Sequence, residues 1–208
     1  MHKEILSPSQ RELLPLVAKF KDEFCLVGGT AVALHIGHRR SIDFDLFKHG
    51  ELRHKKILDA VKAHGLPVQV TRRVEEQLNL TVGGVKLTFF DYPFPIPAPH
   101  SFENVLVLPD LLTLAAMKAY ALGGRAKWKD YVDLYFILKG LHSLSEIVAK
   151  SNSLFGELFS EKQFRAQLSY FKDIDFSEPL EYLPPAIPES EIREFLIEKA
   201  TDTCLLQD

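Results

Sequence analysis

The chain has 208 residues, 46% of them hydrophobic and 25% charged, with a formal net charge of -3. That length sets a ceiling of two compact domains, and the composition excludes both a disordered chain and a membrane-spanning one, since no apolar run reaches the roughly 18 residues a span needs. Weak acidity also excludes nonspecific coating of nucleic acid, which depends on basic surfaces and counterion release.

At the N-terminus, MHKEILSPSQRELL carries charge and helix-capping residues where a signal peptide needs an apolar stretch, so a cytoplasmic location is expected. Ser7-Pro8-Ser9-Gln10 predicts a helix start, with Ser7 as N-cap, Pro8 in the first turn and Gln10 placed for a capping box. Leu13, Leu14, Val17 and Phe20 give that helix one apolar face. Phe24 to Val27 reads as a short buried strand ended by Gly28-Gly29, and TAVALHI as the helix that follows. From Ser41 to Phe47, Ile42, Phe44 and Leu46 alternate with Ser41, Asp43 and Asp45, a period of two and hence a strand with one apolar and one acidic face. Leu52, Ile57, Leu58 and Val61 support a helix ended at Gly65-Leu66-Pro67.

Three strands then follow, PVQVTRRV, QLNLTV and VKLTFFDY, the last two joined by a Gly83-Gly84 hairpin turn. Tyr92 to Pro99, YPFPIPAP, is an extended connector, because its prolines can neither continue a sheet nor sit inside a helix. After Pro109 the pattern is helical: PDLLTLAAMKAYALGG, KWKDYVDLYFILKG, a weaker region to Tyr170, a Pro-rich loop around 183–188 and a last helix from Glu189. The whole is α+β, a half of mixed strands and helices over residues 1–100 followed by a helical half over 101–208. Cys25 and Cys204 lie too far apart for a CxxC motif and read as buried hydrophobes. The basic clusters His38-Arg39-Arg40, Arg53-His54-Lys55-Lys56 and Arg72-Arg73 offer one positive face, although the last two read first as solvated surface.

Residues two apart on a strand share a face, with Cα atoms about 6 to 7 Å apart. Asp43 and Asp45 can therefore converge on a hard cation such as Mg²⁺, which takes carboxylate oxygens and leaves its other positions to water or phosphate. Asp91 closes a neighbouring strand and is the candidate third carboxylate of a two-metal site. Gly28-Gly29-Thr30, between a strand and a helix N-terminus, is the kind of turn that lets backbone N–H groups approach a phosphate. Lys118 is a lone charge in the apolar LLTLAAMKAYAL and wants a partner, for which a nucleotide phosphate would serve. Arg125, seven residues on, shares its face if the helix continues through Gly123-Gly124, and Lys129 and Asp133 are spaced for an i,i+4 ion pair.

Together these residues resemble the minimal nucleotidyltransferase fold of the polymerase-β superfamily. The run LVGGTAVALHIGHRRSIDFDLF from Leu26 is similar, more closely, to the AbiEii/AbiGii toxin nucleotidyltransferases, with their Gly-Gly-Thr and Arg-x-Ser-x-Asp-x-Asp-x-Phe, here Arg39, Ser41, Asp43, Asp45 and Phe47. The later Lys, Arg and basic-Asp-x-x-Asp-Leu pattern of that family is matched by Lys118, Arg125, Lys129, Asp130, Asp133 and Leu134.

The resemblance implies a mixed sheet flanked by helices and Mg²⁺-dependent transfer of a nucleoside monophosphate from an NTP to an acceptor hydroxyl. Asp43, Asp45 and Asp91 would hold two Mg²⁺ ions, with Lys118 and Asp130 also catalytic. Gly28, Gly29, Thr30, Arg39, Ser41, Lys118 and Arg125 would bind the nucleotide. For a toxin the acceptor would be RNA, for example tRNA, or a protein side chain, and an antitoxin would be the partner. The competing readings are a small-molecule nucleotidyltransferase of the aminoglycoside-modifying kind and a catalytically silent nucleotide-binding protein of the same fold. The tetrapeptide HIGH at His35 to His38 also spells an ATP-binding motif of class I aminoacyl-tRNA synthetases. It falls at a helix end, with Gly37 as the C-cap and no lysine loop later, and reads as chance.

Overall fold

The computed structural model describes residues 1–183 and 185–202, which divide into two compact units, Met1–Asp110 and Leu111–Asp208. Cys204 lies outside the described residues.

The first unit is built on a seven-stranded mixed sheet. Its strands are β1 (Cys25–Val27), β2 (Asp43–Lys48), β3 (Val68–Val74), β4 (Gln77–Val82), β5 (Val85–Asp91), β6 (His100–Phe102) and β7 (Leu106–Leu108), in the spatial order β3-β4-β5-β2-β1-β7-β6. Alternation sets which side is core: Phe44 and Leu46 of β2, Leu26 of β1, Leu78 and Leu80 of β4, and Leu87 and Phe89 of β5 are all fully buried. The rings of Phe20, Phe24 and Phe89 meet edge to face and close that core.

Helix α1 (Pro8–Val17) begins in the predicted capping box: the Gln10 N–H donates to Ser7 Oγ at 3.2 Å, and the Ser7 N–H donates to Gln10 Oε1 at 3.0 Å. Helix α2 (Gly28–Ile36) joins β1 to β2 and closes on Gly37 in the left-handed conformation, as expected of a C-cap. Helix α3 (His54–Lys62) buries Ile57 and Val61. Strands β6 and β7 carry no alternating run long enough to predict, and β7 pairs with β1 parallel at Cys25 and Val107. Those two short strands belong to the sheet unit, which runs to Asp110.

The second unit is helical: α4 (Leu111–Leu122), α5 (Trp128–Leu138), α6 (Leu144–Phe155), α7 (Glu161–Leu168) and α8 (Glu189–Thr201). Leu114, Tyr131, Leu134, Tyr135, Ile147, Phe164, Leu168, Ile192 and Leu196 form its core. A second capping box, from Ser143 and Glu146, starts α6. Among the described residues no helix is long and apolar enough to cross a membrane.

Candidate active site

The acidic strand is built around the Gly28-Gly29 turn. Gly28 has φ +69, and a Cβ on it would overlap Asp45 Oδ2; a Cβ on Gly29 would stand 2.5 Å from Arg39 Nη2 and 3.3 Å from Ser41 Oγ. The glycines therefore let the start of α2 lie directly against the Asp45 carboxylate and the Arg39 guanidinium. Thr30, the next residue, pairs its hydroxyl with Ser41 Oγ at 2.9 Å and donates to the Asp43 carbonyl. Gln10 Nε2 donates to the same carbonyl at 3.5 Å, which ties α1 to the acidic strand.

Thr30, Arg39 and Ser41 are thus buried, at 2%, 1% and 6% exposure. They brace the turn and the strand, and Arg39 Nη1 also donates to the Arg40 carbonyl at 3.0 Å. Asp43 and Asp45 are half-buried in the exposed phase of β2, while Phe44 and Leu46 point into the core. The histidines of HIGH are structural: His35 Nε2 donates to the Pro109 carbonyl at 2.9 Å, burial lowers its pKa, and His38 is buried.

The sheet register places Asp91 away from this pair. β2 and β5 are parallel, with Asp43 beside Lys86, Asp45 beside Thr88 and Lys48 beside Asp91. Asp91 is therefore three positions further along and, by alternation, on the opposite face of the sheet. Its Oδ1 accepts the Gly50 N–H at 2.7 Å, the role of a turn residue at a strand end. Thr88 stands where a third carboxylate would flank Asp45, and no group of three or more His, Cys, Asp or Glu able to hold a metal occurs among the described residues. Two carboxylates on one strand face still fit Mg²⁺, because that ion is commonly held by one or two protein carboxylates plus substrate phosphates and water.

The helical unit gathers Lys118 of α4 with Asp130 and Asp133 of α5. Lys118 Nζ lies 2.6 Å from Asp130 Oδ1 and 2.7 Å from Asp133 Oδ2, and all three side chains are at most 7% exposed. The lone lysine of α4 thus has two carboxylate partners, where the sequence suggested a phosphate. Helix α4 ends at Leu122, so Arg125 follows it in the turn and approaches Asp130 Oδ2 from there, Nη2 to oxygen 3.3 Å. Burial pushes the Asp130 pKa up, but the Lys118 and Arg125 charges outweigh it and hold the carboxyl below its ordinary range. Lys129 does not pair with Asp133; its ammonium sits 2.6 Å from Glu178 Oε2.

A cavity of about 280 Å³ lies at the other end of β1 and β2, lined by residues that include Cys25, Phe47, Lys48 and Tyr92 and none of the predicted site residues. Burial raises the Cys25 thiol pKa to about 11, which fits an inert role.

Residues 16–203 match the family described as the nucleotidyl transferase AbiEii toxin of type IV toxin–antitoxin systems. The chain is 30% identical over 159 residues to the uncharacterized protein aq_aa25 of Aquifex aeolicus (strain VF5), covering 70% of this chain and 75% of that one. In fold it is similar to MenT4, a nucleotidyltransferase toxin of Mycobacterium tuberculosis H37Rv, at TM-score 0.60 and 14% identity over 92% of this chain and 80% of that one. It is likewise similar to JHP933 of Helicobacter pylori, at TM-score 0.56 and 16% identity over 94% and 91% of the two chains. With the Asp43 and Asp45 strand set against its Gly-Gly turn, and with the family match running through both units, the chain belongs to the AbiEii toxin family and is a nucleotidyltransferase.

Proposed function

We propose that the protein transfers a nucleoside monophosphate from an NTP to a hydroxyl of RNA, the hydroxyl oxygen bonding to the α-phosphorus and losing its proton as the bond to the β-phosphate breaks and pyrophosphate leaves, and that it does so as the toxin of a pair whose antitoxin restrains it. The observation that carries this reading is the joint placement of Asp43 and Asp45 on one strand face and of Gly28 against the Asp45 carboxylate. Asp43 and Asp45 would hold Mg²⁺ with the triphosphate. When bound, the ion supplies charge neutralisation at the α-phosphate and acidifies the attacking hydroxyl.

The work of the protein's own residues then divides. The N-terminus of α2, opened by Gly28 and Gly29, presents backbone N–H groups to the polyphosphate. Thr30, Ser41 and Gln10 hold the acidic strand in register with that helix end, so they position rather than touch the nucleotide. Arg39, buried beneath Gly29, fixes the turn from below. In the helical unit, Lys118 and Arg125 together keep Asp130 ionised. Asp91 has no part in the chemistry.

The test incubates purified protein with each labelled nucleoside triphosphate, Mg²⁺ and total RNA, beside Asp43→Ala and Asp45→Ala variants. RNA labelling that falls by about 10²-fold or more in both variants is expected, the size of loss seen when a group stabilising transition-state charge is removed. Equal labelling by the variants would overturn the site. Labelling of protein in place of RNA would overturn the acceptor while keeping the transferase.

A further inference from the structure

We infer that the sheet face bearing Asp43 and Asp45 is a platform for single-stranded RNA, extending from the carboxylates across β5 and β4 to the edge strand β3. The inference rests on the proposed transfer to RNA and adds where that RNA lies.

The registers define the face residue by residue. Asp43 stands beside Lys86, Lys86 beside Thr81 and Thr81 beside Gln69; Asp45 stands beside Thr88, Thr88 beside Asn79 and Asn79 beside Arg72; Phe47 stands beside Phe90 and Phe90 beside Gln77. Directly paired residues point to the same side of a sheet, so these rows share one face, on which Thr88 is buried between neighbours and Lys86 and Arg72 are exposed. The opposite surface of β2, β5 and β4 is the core, with Phe44, Leu46, Leu78, Leu80, Leu87 and Phe89 fully buried, while β3 is exposed over most of its length. A shift of register between Val70 and Arg72 leaves Thr71 as the extra residue and returns Arg72 to the Asn79 row.

The chemistry of this surface is selective. Along these strands, among the described residues, Asp43 and Asp45 are the only acids on the face; its other charges are the exposed cations Lys86 and Arg72. Glu75 and Glu76 lie in the turn beyond it. Asn79 and Gln77 are half-buried amides linked by a 2.9 Å hydrogen bond from Gln77 Nε2 to Asn79 Oδ1. Phe47 and Phe90 are half-buried on the same face, ring centroids 5.1 Å apart and tilted by 58°. Cations for phosphates, amides for base edges and aromatic faces for stacking are the three elements by which flat sheet surfaces take unstacked bases.

A protein acceptor would bring no run of phosphates to Lys86 and Arg72, and a duplex would keep its bases out of reach of Phe47 and Phe90. The occupant that uses all three elements is an RNA end or loop. The carboxylate pair sits at one border of the platform, where a terminal hydroxyl of the bound strand would meet it.

The experiment measures fluorescence anisotropy of a short fluorescein-labelled single-stranded RNA with a free 3′ hydroxyl, titrated with the full chain without NTP. Wild-type binding is expected to weaken with salt. The exposed double variant Lys86→Glu/Arg72→Glu should bind at least about tenfold more weakly with a flatter salt dependence. Phe90→Leu should weaken binding several-fold, with the melting temperature of each variant recorded as a check on folding. Asp43→Asn/Asp45→Asn should bind RNA no more weakly than wild type while losing transfer.

Wild-type protein that does not bind the RNA, or a charge-reversed variant that binds it as well as wild type, would overturn the platform. Transfer to a protein acceptor without RNA binding would overturn the platform and keep the transferase. RNA binding that depends on Lys86 and Arg72, with no transfer to any acceptor, would support the platform and defeat the proposed reaction.

Discussion

At the scale of single residues, Gly28 and Lys118 show how differently two site positions depend on their surroundings. Gly28→Ala forces a side chain into the left-handed region and into Asp45, so a loss of about 1 to 3 kcal/mol is expected together with a displaced carboxylate. Urea unfolding and NTP transfer measured on one preparation would test both, and a variant with wild-type activity would contradict the close approach. Lys118→Met removes the cation between buried Asp130 and Asp133 and leaves Arg125 beside Asp130, a change expected to cost about 3 to 5 kcal/mol. Adding Asp130→Asn and Asp133→Asn should return much of that stability without restoring transfer, because the cluster's charge balance is then repaired but its chemistry is not. Full activity in the triple variant would remove Lys118 and Asp130 from the catalytic reading. The side chains themselves were named by sequence, since a lone charge in an apolar helix and a carboxylate pair at spacing two are both local patterns. Their partners were not: Lys118 meets carboxylates from the next helix, and Lys129 meets Glu178, across separations that no short window contains.

At the scale of elements, the strands were legible and their pairing was not. Period-two alternation identified β2, β4 and β5, and Gly83-Gly84 identified the hairpin between the last two. That β2 and β5 run parallel, with Asp45 beside Thr88, follows from no feature of either strand alone. Asp91 was therefore assigned to the right strand and the wrong place along it. The register makes a gain-of-function prediction: Thr88→Asp sets a third carboxylate beside Asp45. Without a cation the variant should melt lower than wild type through like-charge repulsion, and millimolar Mg²⁺ should raise its melting temperature more than it raises that of wild type. An equal response of the two proteins to Mg²⁺ would contradict the pairing. Among the helices, the Ser7 capping box was fully legible because all its atoms lie within four consecutive residues. Ser7→Ala is expected to cost about 1 kcal/mol of stability in chemical denaturation.

At the scale of the whole molecule, carboxyls are held low in both units, Glu4 and Glu23 in the sheet unit and Asp130 and Glu178 in the helical one, and the large shift is that of Glu178. The depressed carboxyls of Asp130 and Glu178 both belong to the helical unit, and Glu178 is lowered from 4.5 to about 2 because hydrogen bonds from Lys127 and Lys129 outweigh the burial that pushes it up. A carboxyl lowered in the folded state stabilises fully above its ordinary value and loses that contribution as pH falls through the folded one. Acid titration from pH 4.5 toward 2 should therefore destabilise the helical unit progressively, and Glu178→Gln should flatten the loss, as read by circular dichroism melts at each pH.

By itself the sequence determined the α+β class, most of the elements and the acidic strand behind its Gly-Gly turn, because periodicity, capping and glycine punctuation act over a few residues. Only the tertiary structure decided that Thr88 and not Asp91 flanks Asp45, that Thr30, Arg39 and Ser41 brace the site from within, and that Lys118 is neutralised by Asp130 and Asp133. Register and ion-pair partners join residues far apart in the chain, and packing, which no local pattern encodes, selects among the pairings they allow.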